Sequence, residues 1–167
     1  MKKVLLLTGP GGVGKTTVSE LLAQRAGWVR LDADQADSEF FPNGGQWLPE
    51  NTENLAIAHD KIIREASKLY GTGSNVVVDY IIFGRYLEFI KKLKKEFKDY
   101  LEVKVLFPSR EETVKRDLER ECWTTGEKRI MEVMAEFEKI KAHIGQENYI
   151  DTTGQTPEGT FEKYFKN

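Results

Sequence analysis

The stretch Gly9-Pro10-Gly11-Gly12-Val13-Gly14-Lys15-Thr16 follows the apolar run Val4-Leu5-Leu6-Leu7 and precedes Thr17-Val18-Ser19-Glu20-Leu21-Leu22-Ala23-Gln24-Arg25. The apolar run has the make-up of a buried strand, and the segment from Thr17 reads as an amphipathic helix. The residues between them are therefore a strand-to-helix turn. Their spelling is G-x-x-x-x-G-K-[ST]. Glycines let backbone N–H groups curl round phosphate oxygens, and the start of the helix adds its partial positive charge. Lys15 has the reach for outer phosphates, and the Thr16 hydroxyl suits Mg²⁺. A glycine turn with a chance lysine is the bland alternative, and the strand before and helix after decide against it. Gly9, Gly11, Gly12, Val13, Gly14, Lys15, Thr16 and Thr17 are expected to bind a nucleoside triphosphate.

Outward from this loop, the 167 residues fit one domain, residues 1–167, with a sizeable core. Hydrophobic residues make up 40% and charged ones 31%, the balance of an ordinary globular domain. A formal net charge of −2 argues against broad electrostatic capture of nucleic acid. Cys122 is the only cysteine, which excludes an internal disulfide and fits a reducing compartment. No apolar stretch nears the ~20 residues that span a bilayer. The chain runs from Met1-Lys2-Lys3 straight into its first strand, with no signal-peptide core. A cytoplasmic protein without a membrane partner is the expectation.

Four later segments repeat the grammar of strand then helix. Strands are expected at Trp28–Leu31, Asn75–Val78, Val103–Phe107 and Asn148–Asp151, with helices over Asn54–Leu69, Arg85–Phe97, Glu111–Glu121, Glu127–Ile144 and Pro157–Phe165. In the fourth of these helices Ile130, Met131, Val133, Met134, Phe137, Ile140 and Ile144 keep helical spacing. This alternation implies an α/β fold: a single-domain, three-layer P-loop fold with a parallel sheet of about five strands covered on both faces. Sites in such sheets form beyond the C-terminal ends of the strands. The segment Asp34 to Thr52, with Phe40, Phe41 and Trp47, reads as a long irregular loop on the acceptor side. Its aromatics either cover a substrate or form a small satellite core.

Leu31-Asp32-Ala33-Asp34-Gln35 sets two aspartates at the mouth of the second strand. Were the strand to continue, both carboxylates would point to one side. Phosphoryl transfer to an alcohol needs a base near the hydroxyl and carboxylates that organise Mg²⁺ and its waters. On that division Asp32 joins the metal shell and Asp34 is the catalytic base or a ligand of the acceptor hydroxyl. The alternative is that Asp34 or Asp37 caps the next helix. Val76-Val77-Val78-Asp79 delivers a third carboxylate in the manner of a Walker B strand, with Asp79 serving Mg²⁺ or the acceptor. Arg85 either binds an acceptor anion or stands in solvent. Arg116 and Arg120 share a helical face at i, i+4, and Cys122 to Glu127 break the pattern as a hinge. This arginine-bearing pair of helices, over about 110–130, reads as a mobile lid. Its closure would exclude water and bring Arg116 and Arg120 to the transferring phosphoryl group. Arg116 would also touch the nucleotide, and Arg129 the acceptor. Pairing of the arginines with Glu112, Asp117, Glu119 and Glu121 on an ordinary charged surface is the alternative.

These motifs together resemble the small P-loop kinases of the nucleoside-monophosphate-kinase-like fold. The resemblance covers essentially the whole chain, through Gly9–Thr16, Asp32-x-Asp34, the Asp79 strand, the Arg116-to-Arg129 lid and Ile150-Asp151-Thr152. Asp32-Ala33-Asp34-Gln35 is similar to the aspartate pair of shikimate and gluconate kinases. The stretch from Val76 to Gly84 is closer to chloramphenicol phosphotransferase. The resemblance implies ATP and Mg²⁺ as cofactors and a small-molecule hydroxyl as acceptor. Asp79-Tyr80-Ile81 stands where a shikimate kinase has a glycine triplet, and Arg64 is the only arginine between Asp32 and Asp79, which is sparse for a nucleotide acceptor. The other readings are a 5′-hydroxyl polynucleotide kinase, a nucleoside or nucleotide kinase, and, from another class, a nucleotide-binding regulatory switch. The last would need a guanine-reading Asn-Lys-x-Asp, which the sequence lacks.

Overall fold

The computed structural model describes residues 1–82, 86–121 and 124–166. Five strands, β1 (Val4–Thr8), β2 (Val29–Asp32), β3 (Val76–Asp79), β4 (Leu101–Leu106) and β5 (Tyr149–Ile150), form one parallel sheet in the order β2-β3-β1-β4-β5. The chain leaves β1 for the edge strand β2, returns to β3 beside β1, and then crosses to the other side for β4 and β5. The phosphate loop therefore leaves the sheet where the strand order reverses, the place where such sheets bind ligands.

Period-two alternation splits the core. Val4 and Leu6 of β1 face one way, toward helices α3 (Thr52–Gly71), α4 (Leu87–Phe97) and α6 (Glu127–Ile144); Leu5 and Leu7 face α1 (Lys15–Ala26) and α7 (Pro157–Tyr164). Every residue of β1 and β3 is buried, which is why both read as unbroken apolar runs. The three-layer α/β architecture expected from the sequence is the one present. No described helix is long and apolar enough to cross a membrane.

Three departures bear on the site. The segment after Asp32 is not irregular throughout: it turns at once into a short helix, α2 (Ala33–Ser38), with the Asp32 side chain accepting from Gln35 N. Helix α5 (Arg110–Leu118) stops short of the expected Glu121, because the Asp117 carboxylate binds the backbone N–H groups of Thr125 and Gly126 instead of facing outward. The last strand is only Tyr149–Ile150, preceded by a single 3₁₀ turn. Arg85, and the Cys122-Trp123 part of the expected hinge, lie outside the described residues.

Candidate active site

The phosphate loop is held from two sides and by a bond of its own. At Gly9 (φ 144°) a Cβ would sit 2.3 Å from the Leu106 carbonyl oxygen, so β4 leaves no room for a side chain. At Gly12 (φ 78°) the Asp117 backbone and the Arg120 side chain pack directly over the loop. Lys15 is 8% exposed and folds back so that Nζ donates to the Pro10 carbonyl at 3.0 Å. Burial lowers its ammonium pKa; Asp34 and Asp79 oppose that, while Arg120 adds to it. Together Gly11, Gly12, Gly14, Lys15, Thr16 and Arg120 bound a cavity of about 460 Å³.

Asp79 enters from β3, in register with Leu7 of β1 and Asp32 of β2. Arg30 of β2 reaches across to it: Nη2 donates to Asp79 Oδ2 at 2.8 Å and to Asp32 Oδ2 at 3.1 Å, and Nε donates to Ser19 Oγ at 2.7 Å. Ser19 Oγ lies 3.0 Å from Asp79 Oδ2 and 2.8 Å from the Thr16 carbonyl, so its one proton serves either acceptor. Asp79 Oδ1 is buried and has no hydrogen-bond partner among the described residues. Both Asp32 oxygens, by contrast, are engaged, one by Arg30 and one by the start of α2.

Because α2 begins at Ala33, Asp32 and Asp34 do not share one side of an extended strand, which corrects that expectation. Asp34 turns instead into the cleft, where Oδ1 accepts from Ile81 N at 3.3 Å. Asp34 is solvent-exposed in the open cleft, yet the protein crowded around the cleft disfavours its charged form and pushes its pKa up to about 7. Lys15 and the Ile81 N–H pull the other way; Asp79 and Asp37 reinforce the rise. Asp34 also lines a second cavity of about 390 Å³, shared with Gln46, Trp47, Arg129, Ile130 and Val133. One carboxylate thus forms part of the wall of both spaces.

Beneath the second cavity lies a buried polar chain. Asp37, 2% exposed, accepts from Tyr80 Oη at 2.6 Å and from Gln46 Nε2 at 3.4 Å. Tyr80 Oη lies 3.2 Å from His59 Nε2. With the Tyr80 proton directed to Asp37, the His59 Nε2–H donates to Tyr80, which fixes the imidazole tautomer. Burial lowers the His59 pKa to about 4, with Lys92 adding to the fall and Asp60 opposing it. At the mouth of the cavity the Arg129 guanidinium lies 5.1 Å from the Trp47 ring centroid and donates to Glu132 Oε2 at 3.1 Å.

The two arginines expected in a lid part company. Arg120 lies beyond the end of α5, so the expected i, i+4 face does not exist. Arg120 bounds the phosphate-loop cavity, with Nη1 3.5 Å from Asp117 Oδ1. Arg116 turns away from that cavity. Its Nη2 donates to the carbonyls of Thr152 at 2.8 Å and Gln155 at 2.9 Å, its Nη1 lies 3.4 Å from the Val13 carbonyl, and Nε donates to Glu112 at 2.8 Å. It braces the phosphate loop against the loop after β5. Burial alone would raise the Asp117 carboxyl pKa; the N–H groups of Thr125 and Gly126 outweigh that and hold it below the ordinary range.

Lys15, Thr16, Asp34, Asp79 and Arg120 are thus brought together, Arg129 stands at the second cavity, and Asp32 and Arg116 are bound elsewhere. Sequence reading passed over Arg30 and Gln46, gave Asp37 only a capping role, and placed Tyr80 in a stretch, Tyr80 to Arg85, that could line the acceptor pocket. A charged residue inside a short apolar strand was the available signal for Arg30. Asp37 and Gln46 carry no such mark, because their places depend on how α2 and the following turn fold over β3.

A family model described as an AAA domain matches residues 4–143. The chain belongs to the AAA domain family. Among curated relatives of this AAA domain protein, a probable gluconokinase of Rattus norvegicus is 36% identical over 80 residues, covering 45% of this chain and 41% of that protein. The chain spans less than half the length of the curated relatives it matches. Among solved structures, a sugar kinase from Janibacter sp. HTCC2649 superposes with a TM-score of 0.68 at 18% identity, covering 98% of this chain and 92% of that one. A gluconokinase from Sinorhizobium meliloti 1021 does so with a TM-score of 0.62 at 16% identity, covering 93% and 85%. At these identities the likeness is one of fold, and the fold is that of the P-loop kinases.

Proposed function

We propose that the chain is an ATP-dependent kinase that passes the γ-phosphate to the hydroxyl of a small molecule. The observation that carries this reading is Asp34, a single carboxylate in the wall common to the phosphate-loop cavity and the second cavity. A donor phosphate on one side and an acceptor hydroxyl on the other would meet beside it. Kinase names among the relatives and structural neighbours point the same way.

In this reading the loop N–H groups cradle the phosphates, and Lys15 exchanges the Pro10 carbonyl for phosphate oxygens. Asp34 takes the acceptor proton as the new oxygen–phosphorus bond forms and the bond to the bridging oxygen of ADP breaks. A carboxyl whose pKa is raised to about 7 is well matched to that task near neutral pH. Arg120 offers positive charge over the loop. The donor set suits Mg²⁺: Thr16 has a hydroxyl, and Asp79, its Oδ1 buried and unpartnered among the described residues, is linked to Thr16 through Ser19 Oγ. Thr16 and Asp79 would hold the ion, which would supply positive charge to the phosphates of the nucleotide. Asp32 keeps an outer place, orienting Arg30 against Asp79.

Lys15→Ala should abolish turnover. Asp34→Asn should retain ATP binding by calorimetry yet transfer phosphate ~10²-fold more slowly or worse. Near-normal transfer, or collapse of ATP binding in the asparagine variant, would remove Asp34 from the role of base.

A further inference from the structure

The second cavity differs in chemistry from a sugar site. Ile81, Tyr86, Ile130, Val133 and the Trp47 ring make most of its wall, and Tyr86, Ile130 and Val133 are themselves core residues. Its polar atoms are few and gathered. Asp34 and Thr125 stand beside Gly11 at the phosphate-loop end. Asp37 accepts from both Tyr80 Oη and Gln46 Nε2, while Gln46 Oε1 and Thr125 Oγ1 are buried with no hydrogen-bond partner among the described residues. Arg129 is bound to Glu132 and stacked on Trp47.

We infer that the acceptor is an alcohol with an apolar, ring-sized body, and that polyhydroxylated sugars and sugar acids are poorer acceptors. The inference rests on the kinase reading above and names the substrate class for that site. One hydroxyl finds Asp34. Among the described residues, Gln46 Oε1 and Thr125 Oγ1 could take one or two further hydroxyls, and the rest of a polyol would face Ile81, Ile130 and Val133, which offer no partner. A buried hydroxyl left without a hydrogen bond weakens binding by about tenfold or more. An aryl or cycloalkyl group against the same wall gains from leaving water, and a flat ring can lie along Trp47, whose indole is 44% exposed at the cavity mouth. The chain would then differ in acceptor from the gluconokinase and sugar kinase whose fold it shares.

The test separates binding from transfer. Binding of 3-phenylpropan-1-ol, 2-cyclohexylethanol, D-glucose and D-gluconate is measured by saturation-transfer NMR with ATP and Mg²⁺ present, and phosphate transfer to each is followed with γ-labelled ATP. Saturable binding of the two apolar alcohols, at least tenfold tighter than either sugar, is expected. It should weaken about tenfold in Trp47→Ala and hold in Tyr100→Ala, a substitution at the opposite end of the sheet. Tighter binding or faster phosphorylation of D-glucose or D-gluconate would overturn the inference and leave the kinase reading standing. Binding of neither apolar alcohol, or binding indifferent to Trp47, would also overturn it. Trp47-dependent binding with no transfer to any alcohol would uphold the cavity's chemistry and sink the kinase reading.

Discussion

Replacing Arg116 by alanine tests whether this side chain braces the fold or handles phosphate. In the structure its guanidinium is 17% exposed in its pairing with Glu112 and donates to the carbonyls of Thr152 and Gln155 at 2.8 and 2.9 Å. Hydrogen bonds from a charged donor contribute roughly 1.5–3 kcal/mol each, and water entering the gap recovers part of that. The net loss is then about 4 kcal/mol, within the range for removing one partner of a buried charged network. For a domain of this size each kcal/mol moves Tm by roughly 2–4 °C. A calorimetric melt without nucleotide should therefore fall by about 10 °C in Arg116→Ala. Arg116→Lys should recover less than half of the fall, since a single ammonium nitrogen cannot reach Thr152, Gln155, Glu112 and the Val13 carbonyl together, as the three guanidinium nitrogens do. ATP affinity should weaken too, because the brace includes the Val13 carbonyl of the phosphate loop. A melt within about 2 °C of wild type, accompanied by loss of turnover, would refute the bracing role and return Arg116 to the nucleotide.

Other outcomes follow from the same geometry. The Asp34 carboxyl, with its pKa raised to about 7, gives kcat/KM a limb that rises with pH around that value and vanishes in Asp34→Asn; a flat wild-type profile from about pH 5 to 9 would count against it. Folding disfavours the ionised form of Asp34, so its stability cost is absent below the unfolded value of 3.8 and grows up to about 7. Asp34→Asn should accordingly resist urea better than wild type at about pH 8 and equally at about pH 3. His59 has the opposite sense in acid. Its folded pKa of about 4 lies below the unfolded 6.5, so stability is full above 6.5 and declines by about 3 kcal/mol as pH falls to about 4. Urea midpoints of His59→Asn should show a shallower acid decline; an unchanged slope would exonerate the imidazole. Gly9→Ala forces a Cβ to 2.3 Å from the Leu106 carbonyl, so a loss of about 3 kcal/mol or more is expected in chemical denaturation. A stable, ATP-binding Gly9→Ala protein would contradict the close packing of the loop on β4.

Much of this fold is legible because buried parallel strands and phosphate loops write themselves locally. Val76-Val77-Val78-Asp79 reads as a strand delivering a carboxylate whatever surrounds it, and β3 carries Asp79 to the phosphate loop. What escaped the sequence depends on contacts between distant segments. Helix α2 is mostly polar and exists through the Asp32 cap, so periodicity gives no sign of it. Arg116 and Arg120 match helical spacing on paper, yet the Asp117 carboxylate fastens Thr125 and Gly126 and ends the helix between them. Arg30 meets Asp79 only because β2 lies next to β3, a neighbourhood set by sheet order across 49 positions of sequence. The second cavity needs α6, the turn around Gln46 and the end of β3 to assemble before it has walls at all.

Among the described residues, Gly11, Asp34 and Ile81 are the side chains and backbone common to both cavities. Every other wall of the second cavity comes from Asp37, the Gln46–Trp47 turn, Tyr86, Thr125 and the first half of α6. This division gives the fold a particular freedom over evolutionary time. Substitutions at Trp47, Ile130 or Val133 can reshape one compartment while the glycine loop keeps its packing against β4 and the end of α5. If the chain is the kinase proposed above, a lineage can drift from one acceptor to another without passing through an ancestor that has lost its grip on the donor.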